Sequence, residues 1–158
     1  MSLSVVEFLM SLRFLSLVAV VVCAGVFSLN AAEEKKAVKP LCPLSGKDID
    51  KTKSVDYKGA KVYFCCGNCP GAFEKDPTKF AAKANQQLVV TEQAKQVKCP
   101  LSGGKLNEEK SVEVAGTKVT FCCEKCQGAV AAAKGDEQLN MVFSDKAFDK
   151  GFEVTKKK

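Results

Sequence analysis

Four cysteines recur in one unbroken register, and no other property of this chain restricts its fold so sharply. Shifted by 57 positions, Cys42 falls on Cys99, Cys65 on Cys122, Cys66 on Cys123 and Cys69 on Cys126. Around them, "CPLSG" begins at Cys42 and Cys99, "KSV" at Lys53 and Lys110, and "GxKVxFCCxxCxGA" at Gly59 and Gly116. Two copies of one small unit therefore organise the chain. The register slips after Ala72 and Ala129. "QLVVTEQAK" at 87–95 matches "QLNMVFSDKAF" at 138–148 only if about six residues are missing from the second copy.

The pattern along each copy places its thiols. Val55 and Tyr57 alternate with polar neighbours, as do Val62 and Phe64, and the same holds for Val112, Val114, Val119 and Phe121. Alternation interrupted by glycine predicts a β-hairpin, with Gly59-Ala60 and Gly116-Thr117 as two-residue loops of type II′. The second strand ends at the double cysteine. Cys69-Pro70 then opens a helix, since proline is tolerated in a first turn, and Asp76-Pro77 caps and starts a second helix through Lys83. In the second copy "EKCQGAVAAAK" reads as helical until Gly135 stops it. "DKAFDKGFEV" predicts a short helix and strand that bury Phe148 and Phe152. Each "CPLSG" is a tight turn held by Pro and Gly. A thiol on that turn and two or three more at the strand-to-helix junction can converge on one point.

A unit of about 55 residues buries little apolar surface, so a covalent or metallic staple is expected. C-x2-C at Cys66/Cys69 and Cys123/Cys126, joined by a remote cysteine on a turn, is the spacing that a tetrahedral thiolate site needs. A helix N-terminus favours thiolate at Cys69 and Cys126. Soft ions such as zinc(II) and copper(I) suit such donors. Ser45 and Ser102 stand where a complete zinc knuckle has a second cysteine, and they read as turn formers. Two arrangements follow: Cys66 and Cys123 complete four-thiolate sites, or each site has three thiolates and an open position. Two rival chemistries use the same residues. In a disulfide-stapled domain Cys42 pairs with one junction cysteine and the other two pair together. Thiol–disulfide exchange through C-x2-C would call for a thioredoxin-like alternation of strands and helices, which is missing here.

Composition removes other classes. The chain has no histidine, so neither a His-rich hydrolytic zinc site nor a Ser/His/Asp or Cys/His pair can form, and no enzyme is expected. The net charge of +6 comes from dispersed lysines, with no basic stripe interleaved with aromatics, so nucleic-acid binding is not expected. Arg13 precedes an apolar run from Phe14 to Phe27 that is followed by small and polar residues to Ala32. About 14 apolar residues suit a signal-peptide core better than the roughly 20 of a membrane span. Cleavage after Ala32 gives an exported chain, periplasmic or extracellular, whose membrane contact is limited to an uncleaved signal segment. Met10 is an alternative start. Cys23 leaves with the signal, so eight cysteines remain.

The first copy, "CPLSGKDIDKTKSVDYKGAKVYFCCGNCPGAFEKDPTKFA", resembles the YHS domain, with Phe73, Pro77, Lys79 and Phe80 at the positions of that family's pattern. The frame C-x22-C-x3-C, at Cys42, Cys65 and Cys69 and again at Cys99, Cys122 and Cys126, is similar to the TRASH domain, a treble-clef-like heavy-metal-binding module. The resemblance covers about 40 residues of the first copy and about 30 of the second, which lacks the proline and the aromatic ending. It implies metal sensing or trafficking, often of copper.

The expected architecture is α+β: a signal peptide (1–32), a flexible leader (33–39), two tandem treble-clef-like modules (40–95 and 96–155) of knuckle, hairpin and helix, and a basic tail (156–158). Each module is expected to hold one zinc or copper(I) ion through Cys42, Cys65 and Cys69, or Cys99, Cys122 and Cys126, with Cys66 and Cys123 as candidates for the fourth ligand. The expected role is metal handling or resistance, with metal ions and a metal-delivery protein as partners. The alternative is a disulfide- or zinc-stapled structural or interaction protein with no trafficking role.

Overall fold

A computed structural model describes residues 38–155. The segment expected to be a signal peptide (1–32), residues 33–37 of the expected leader and the basic tail lie outside the described residues. Along the chain run β1 (Asp50–Tyr57), β2 (Ala60–Phe64), α1 (Asn68–Lys75), α2 (Pro77–Val90), β3 (Ala94–Gln96), β4 (Asn107–Val114), β5 (Thr117–Phe121), α3 (Glu124–Ala132), α4 (Gly135–Phe143), α5 (Asp145–Gly151) and β6 (Phe152–Val154). The class is α+β, with small two-stranded sheets and five helices among the described residues. None of these helices is long and apolar enough to cross a membrane.

Both hairpins form where the alternation places them, but not with the expected loops. Tyr57 pairs with Ala60 and Val114 with Thr117, so the loop residues are Lys58-Gly59 and Ala115-Gly116. Their φ angles are +52° and +82°, and +46° and +79°. Two positive φ values mark a type I′ turn, whose twist matches that of the strands it joins. A non-glycine residue in this region costs about 1–2 kcal/mol. Lys58 offsets this cost with ion pairs to Asp145 (3.1 Å) and Asp149 and by lying over the Phe148 ring. The pairing also slips between Asp50 and Ser54 and between Asn107 and Ser111. In each copy an Asx turn supports the slip: Asp50 accepts from the Thr52 N–H at 2.9 Å, and Asn107 from the Glu109 N–H at 3.1 Å.

The helices depart from expectation in length. Asp76 caps α2 by accepting from the Lys79 N–H, with Pro77 at the first helical position, as the sequence predicts. The helix then continues past Lys83 to Val90, because Ala81, Ala84 and Leu88 prolong one apolar face. Gly135 does not stop the preceding helix. That helix ends at Ala132, and Gly135, at φ +59°, opens α4.

The core holds Val62, Phe64, Phe73 and Leu88 from the first repeat, with Val114, Val119, Phe121, Val130, Val142, Phe143 and Phe148 from the second. It is one continuous cluster. α2 packs against α4 and α5, and β3 pairs antiparallel with β6, so the segment after the first repeat is zipped to the chain's last strand. Phe148 and Phe152 are buried as expected, their rings stacked at 5.2 Å.

A candidate metal centre in each repeat

The two knuckles have the same backbone. Cys42 N–H donates to Lys47 O (2.8 Å) and Gly46 N–H to Cys42 O (2.9 Å), while Cys99 N–H donates to Gly104 O (2.9 Å) and Gly103 N–H to Cys99 O (2.7 Å). Gly46 and Gly103 adopt φ of +69° and +75°, a conformation that glycine enters without strain. This turn aims Cys42 and Cys99 inward, where both are buried. Cys65 and Cys122 stand just past the ends of β2 and β5, and Cys69 and Cys126 in the first turns of α1 and α3.

These placements converge. The sulfurs of Cys42, Cys65 and Cys69 lie within 4.8 Å of one another, as do those of Cys99, Cys122 and Cys126. The Cys65–Cys69 and Cys122–Cys126 separations are 3.7 Å and 3.8 Å. Two sulfurs bound at 2.3 Å to one tetrahedral ion stand about 3.8 Å apart. Each cluster could therefore hold a metal ion. None of the eight described cysteines is in a disulfide, so the stapling expected of the rival reading is not formed among them.

Cys66 and Cys123, the residues considered for a fourth ligand, are both exposed and lie outside the three-sulfur groups. They diverge from each other. Cys66 Sγ is 3.3 Å from Cys69 Sγ, whereas Cys123 Sγ is 3.6 Å from its neighbour Cys122. The cause is local. α3 starts one repeat position earlier than α1, which makes Cys123 the N-cap in extended conformation, while Gly67, in a helical conformation, caps α1 and leaves Cys66 one residue outside it.

The serines do more than form the turn. Ser45 Oγ lies 3.1 Å from Cys65 Sγ and Ser102 Oγ 3.1 Å from Cys122 Sγ. Burial pushes the Cys42 thiol up, but the Ser45 hydroxyl and the N–H groups of Ser45, Cys65 and Leu44 outweigh it, and the thiol comes down to about 7. In the second copy burial is opposed in the same way by the Ser102 hydroxyl and the N–H groups of Ser102, Cys122 and Leu101, and Cys99 falls to about 6. Each knuckle sulfur thus ionises more readily than an ordinary thiol. Contrary to the helix-dipole expectation, the thiols at the helix starts are raised. Cys69 is raised by the Cys66 sulfur, by burial and by Cys65 and Cys42. Burial together with Cys123, Cys122 and Cys99 pushes Cys126 up to about 12. Crowded sulfurs hold a shared proton more strongly than a single helix turn repels it, and a cation would replace that proton.

One positioning element was not legible in the sequence. Gln87, buried on α2, accepts from the Tyr63 N–H (2.7 Å) and donates to Tyr63 O and Leu41 O (both 2.8 Å), tying β2 to the segment that leads into the first knuckle. Gln96, on β3, accepts from the Thr120 N–H (3.0 Å) and donates to Thr120 O (2.6 Å) and Lys98 O (3.2 Å). Tyr63 and Thr120 are repeat equivalents, and so are Leu41 and Lys98. The two glutamines are not, so no alignment of the chain with itself would pair them.

Comparison with protein-family models, with curated proteins and with solved structures finds no match.

Proposed function

We propose that this chain is an exported, non-enzymatic metal-handling protein built from two tandem treble-clef-like modules of the YHS/TRASH kind, each holding one zinc(II) or copper(I) ion. The observation that carries this reading is the convergence, in both copies, of a buried knuckle sulfur with two sulfurs more than 20 residues away, at separations that fit one ion. Donors made only of sulfur select soft ions over magnesium or calcium. The partly exposed third face of each cluster, flanked by Cys66 or Cys123, leaves room for ligand exchange with a delivery protein. Neither nucleic acid nor a membrane beyond the signal segment enters this function.

A second reading gives the ions a purely structural task. It is favoured by the burial of Cys42 and Cys99, 1% and 0% exposed, within the hydrophobic core itself.

The test is metal content. Protein purified without added reductant is measured for ions per chain by mass spectrometry, and its thiols are counted after denaturation with and without chelator. Two soft ions per chain with every thiol recovered is the expected result; a metal-free chain that takes up neither zinc nor copper would sink the proposal. Copper(I) that displaces zinc without unfolding the protein supports handling. Zinc that copper does not displace, and whose removal unfolds the chain, supports the structural task.

A further inference from the structure

We propose that Cys66 and Cys69 form an oxidation site, favoured in the first repeat over its counterpart in the second, which low-molecular-weight disulfides convert to an intramolecular disulfide. Three observations carry it. The two sulfurs are 3.3 Å apart, closer than Cys65 and Cys69 at 3.7 Å and closer than the roughly 3.8 Å kept by two ligands of one tetrahedral ion. Cys66 is exposed, so an incoming disulfide can reach it, while Cys69 is buried beneath it, placed to resolve the product. Gly67, helical at the N-cap, folds the chain so that Cys66 leans over the first turn of α1.

The second repeat has the same C-x2-C spacing in another arrangement, in which Cys123 interacts with Cys122 as well as with Cys126. Cys123 is the extended N-cap of α3, and the sulfur beside it, at 3.6 Å, belongs to its chain neighbour Cys122. Joining adjacent cysteines closes a ring through their own peptide bond, which resists the required departure from planar trans geometry.

The chemistry balances as ordinary thiol–disulfide exchange. The Cys66 sulfur, losing its proton, attacks one sulfur of the disulfide R–S–S–R. A Cys66–S–S–R bond forms, the old S–S bond breaks, and RS⁻ leaves and takes up that proton. The Cys69 sulfur then displaces the second RS⁻, which takes the Cys69 proton. Two electrons pass from the protein to the small disulfide, giving two R–SH. Cys69 is thereby withdrawn from its cluster, and Cys42 and Cys65 alone cannot retain an ion that three sulfurs held. This consequence, unlike the oxidation itself, rests on the metal-binding reading above. Oxidation would then empty the first site and spare the second.

The experiment uses the full chain, reduced, stripped with chelator and exposed anaerobically to oxidised glutathione, then blocked with iodoacetamide and cut with trypsin. Cleavage after the lysines separates the evidence: one peptide, 62–75, carries Cys65, Cys66 and Cys69, whereas Cys122 and Cys123 fall on 119–125 and Cys126 on 126–134. The expected product is peptide 62–75 with an internal disulfide and one alkylated residue, Cys65, formed at least ~10-fold faster than any link between 119–125 and 126–134. Cys66→Ser abolishes it. A fully alkylated 62–75, a predominant Cys65–Cys69 bond, or equally rapid oxidation of the second repeat overturns the proposal. A second arm loads zinc(II) and follows its release with a chromogenic chelator as oxidised glutathione is added. Loss of one of two ions in step with the disulfide supports the coupling, and full retention of zinc after the disulfide has formed overturns it. A chain that binds no zinc yet forms the Cys66–Cys69 disulfide upholds the oxidation site and removes the metal reading.

Discussion

The first repeat fixes its knuckle with a residue that follows its hairpin, whereas the second uses one that precedes its knuckle. Gln87, which fixes the first knuckle, comes from α2 of the same repeat. Gln96, which does this for the second, sits on β3 before its knuckle, and Gly151, from the end of α5, accepts the Val97 and Lys98 N–H groups behind it. Phe73 fills the first repeat beside Phe64 and Tyr57, and its counterpart Val130 is smaller, while Phe143, Phe148 and Phe152 form an aromatic cluster in the second half. Three-sulfur geometry has thus been kept while its scaffolding changed. The cysteines answer to one another, and the supporting residues answer only to whatever the rest of the chain brings near.

The largest effect that would break this comparison is removal of a sulfur. Cys69→Ser should lower metal content from two ions per chain to one, with Cys99, Cys122 and Cys126 still loaded; structural zinc contributes on the order of 10 kcal/mol in small domains. Loss of both ions would show that the repeats do not bind independently. Next comes Gly151→Ala. A methyl group there would stand 2.8 Å from Pro100 Cα and 3.0 Å from Lys98 O, both backbone atoms, so the second knuckle must shift. Overpacking of this kind costs about 1–3 kcal/mol, and metal titration should show the second site weakened more than the first.

The glutamine clamps give a matched pair of tests. Gln87→Ala removes three part-buried hydrogen bonds to the Tyr63 and Leu41 backbone, a loss of about 1–3 kcal/mol. Gln96→Ala should cost less because its site is more exposed. Chemical denaturation of both variants measures the difference, and an equal or reversed order would contradict the account of how each knuckle is held.

A carboxylate joining the halves makes the fold sensitive to acid. Although burial pushes Asp145 up, hydrogen bonds from Asn85 and Tyr57 and the Lys58 ammonium outweigh it and hold its carboxyl below the usual aspartate value of 3.8. Its stabilising share is therefore present above that value and is lost as pH falls below it, through the lower folded-state pKa. Asp145→Asn should flatten the acid limb of a thermal-stability profile while changing little on its alkaline side. The smallest effect concerns the turns. Ala115→Gly relieves a φ of +46° and should stabilise by up to about 1 kcal/mol, whereas Lys58→Gly gains nothing net because it discards the ion pairs to Asp145 and Asp149. Paired melting curves would show whether the two hairpins differ in this way.

Much of the candidate site was legible because it was written twice. Recurrence at a fixed offset singled out Cys42, Cys65 and Cys69 with their counterparts, and strand alternation placed them past a hairpin. It also displayed Ser45 and Ser102, whose contact with the Cys65 and Cys122 sulfurs follows from the turn they help to build. The hairpin loops were misplaced by one residue. Glycine marks a positive φ but not which loop position it occupies, and the inter-strand register decides between the two turn types. The end of α2 was misread because Asn85 and Gln87 sit on its buried face, where polar residues conceal the apolar spacing that continues to Leu88.

By itself, then, the sequence determined the repeat, the α+β class and the convergence of three sulfurs per copy, because these depend on local periodicity and on spacing that the chain carries in linear form. Tertiary structure alone decided that β3 closes on β6, that Gln87 and Gln96 take equivalent tasks from inequivalent positions, and that Cys66 leans toward Cys69 while Cys123 turns to Cys122. The physical reason is that those outcomes depend on which backbone groups remain unpaired once the core has formed, and on where each helix takes its first turn. Neither quantity exists before the chain has folded.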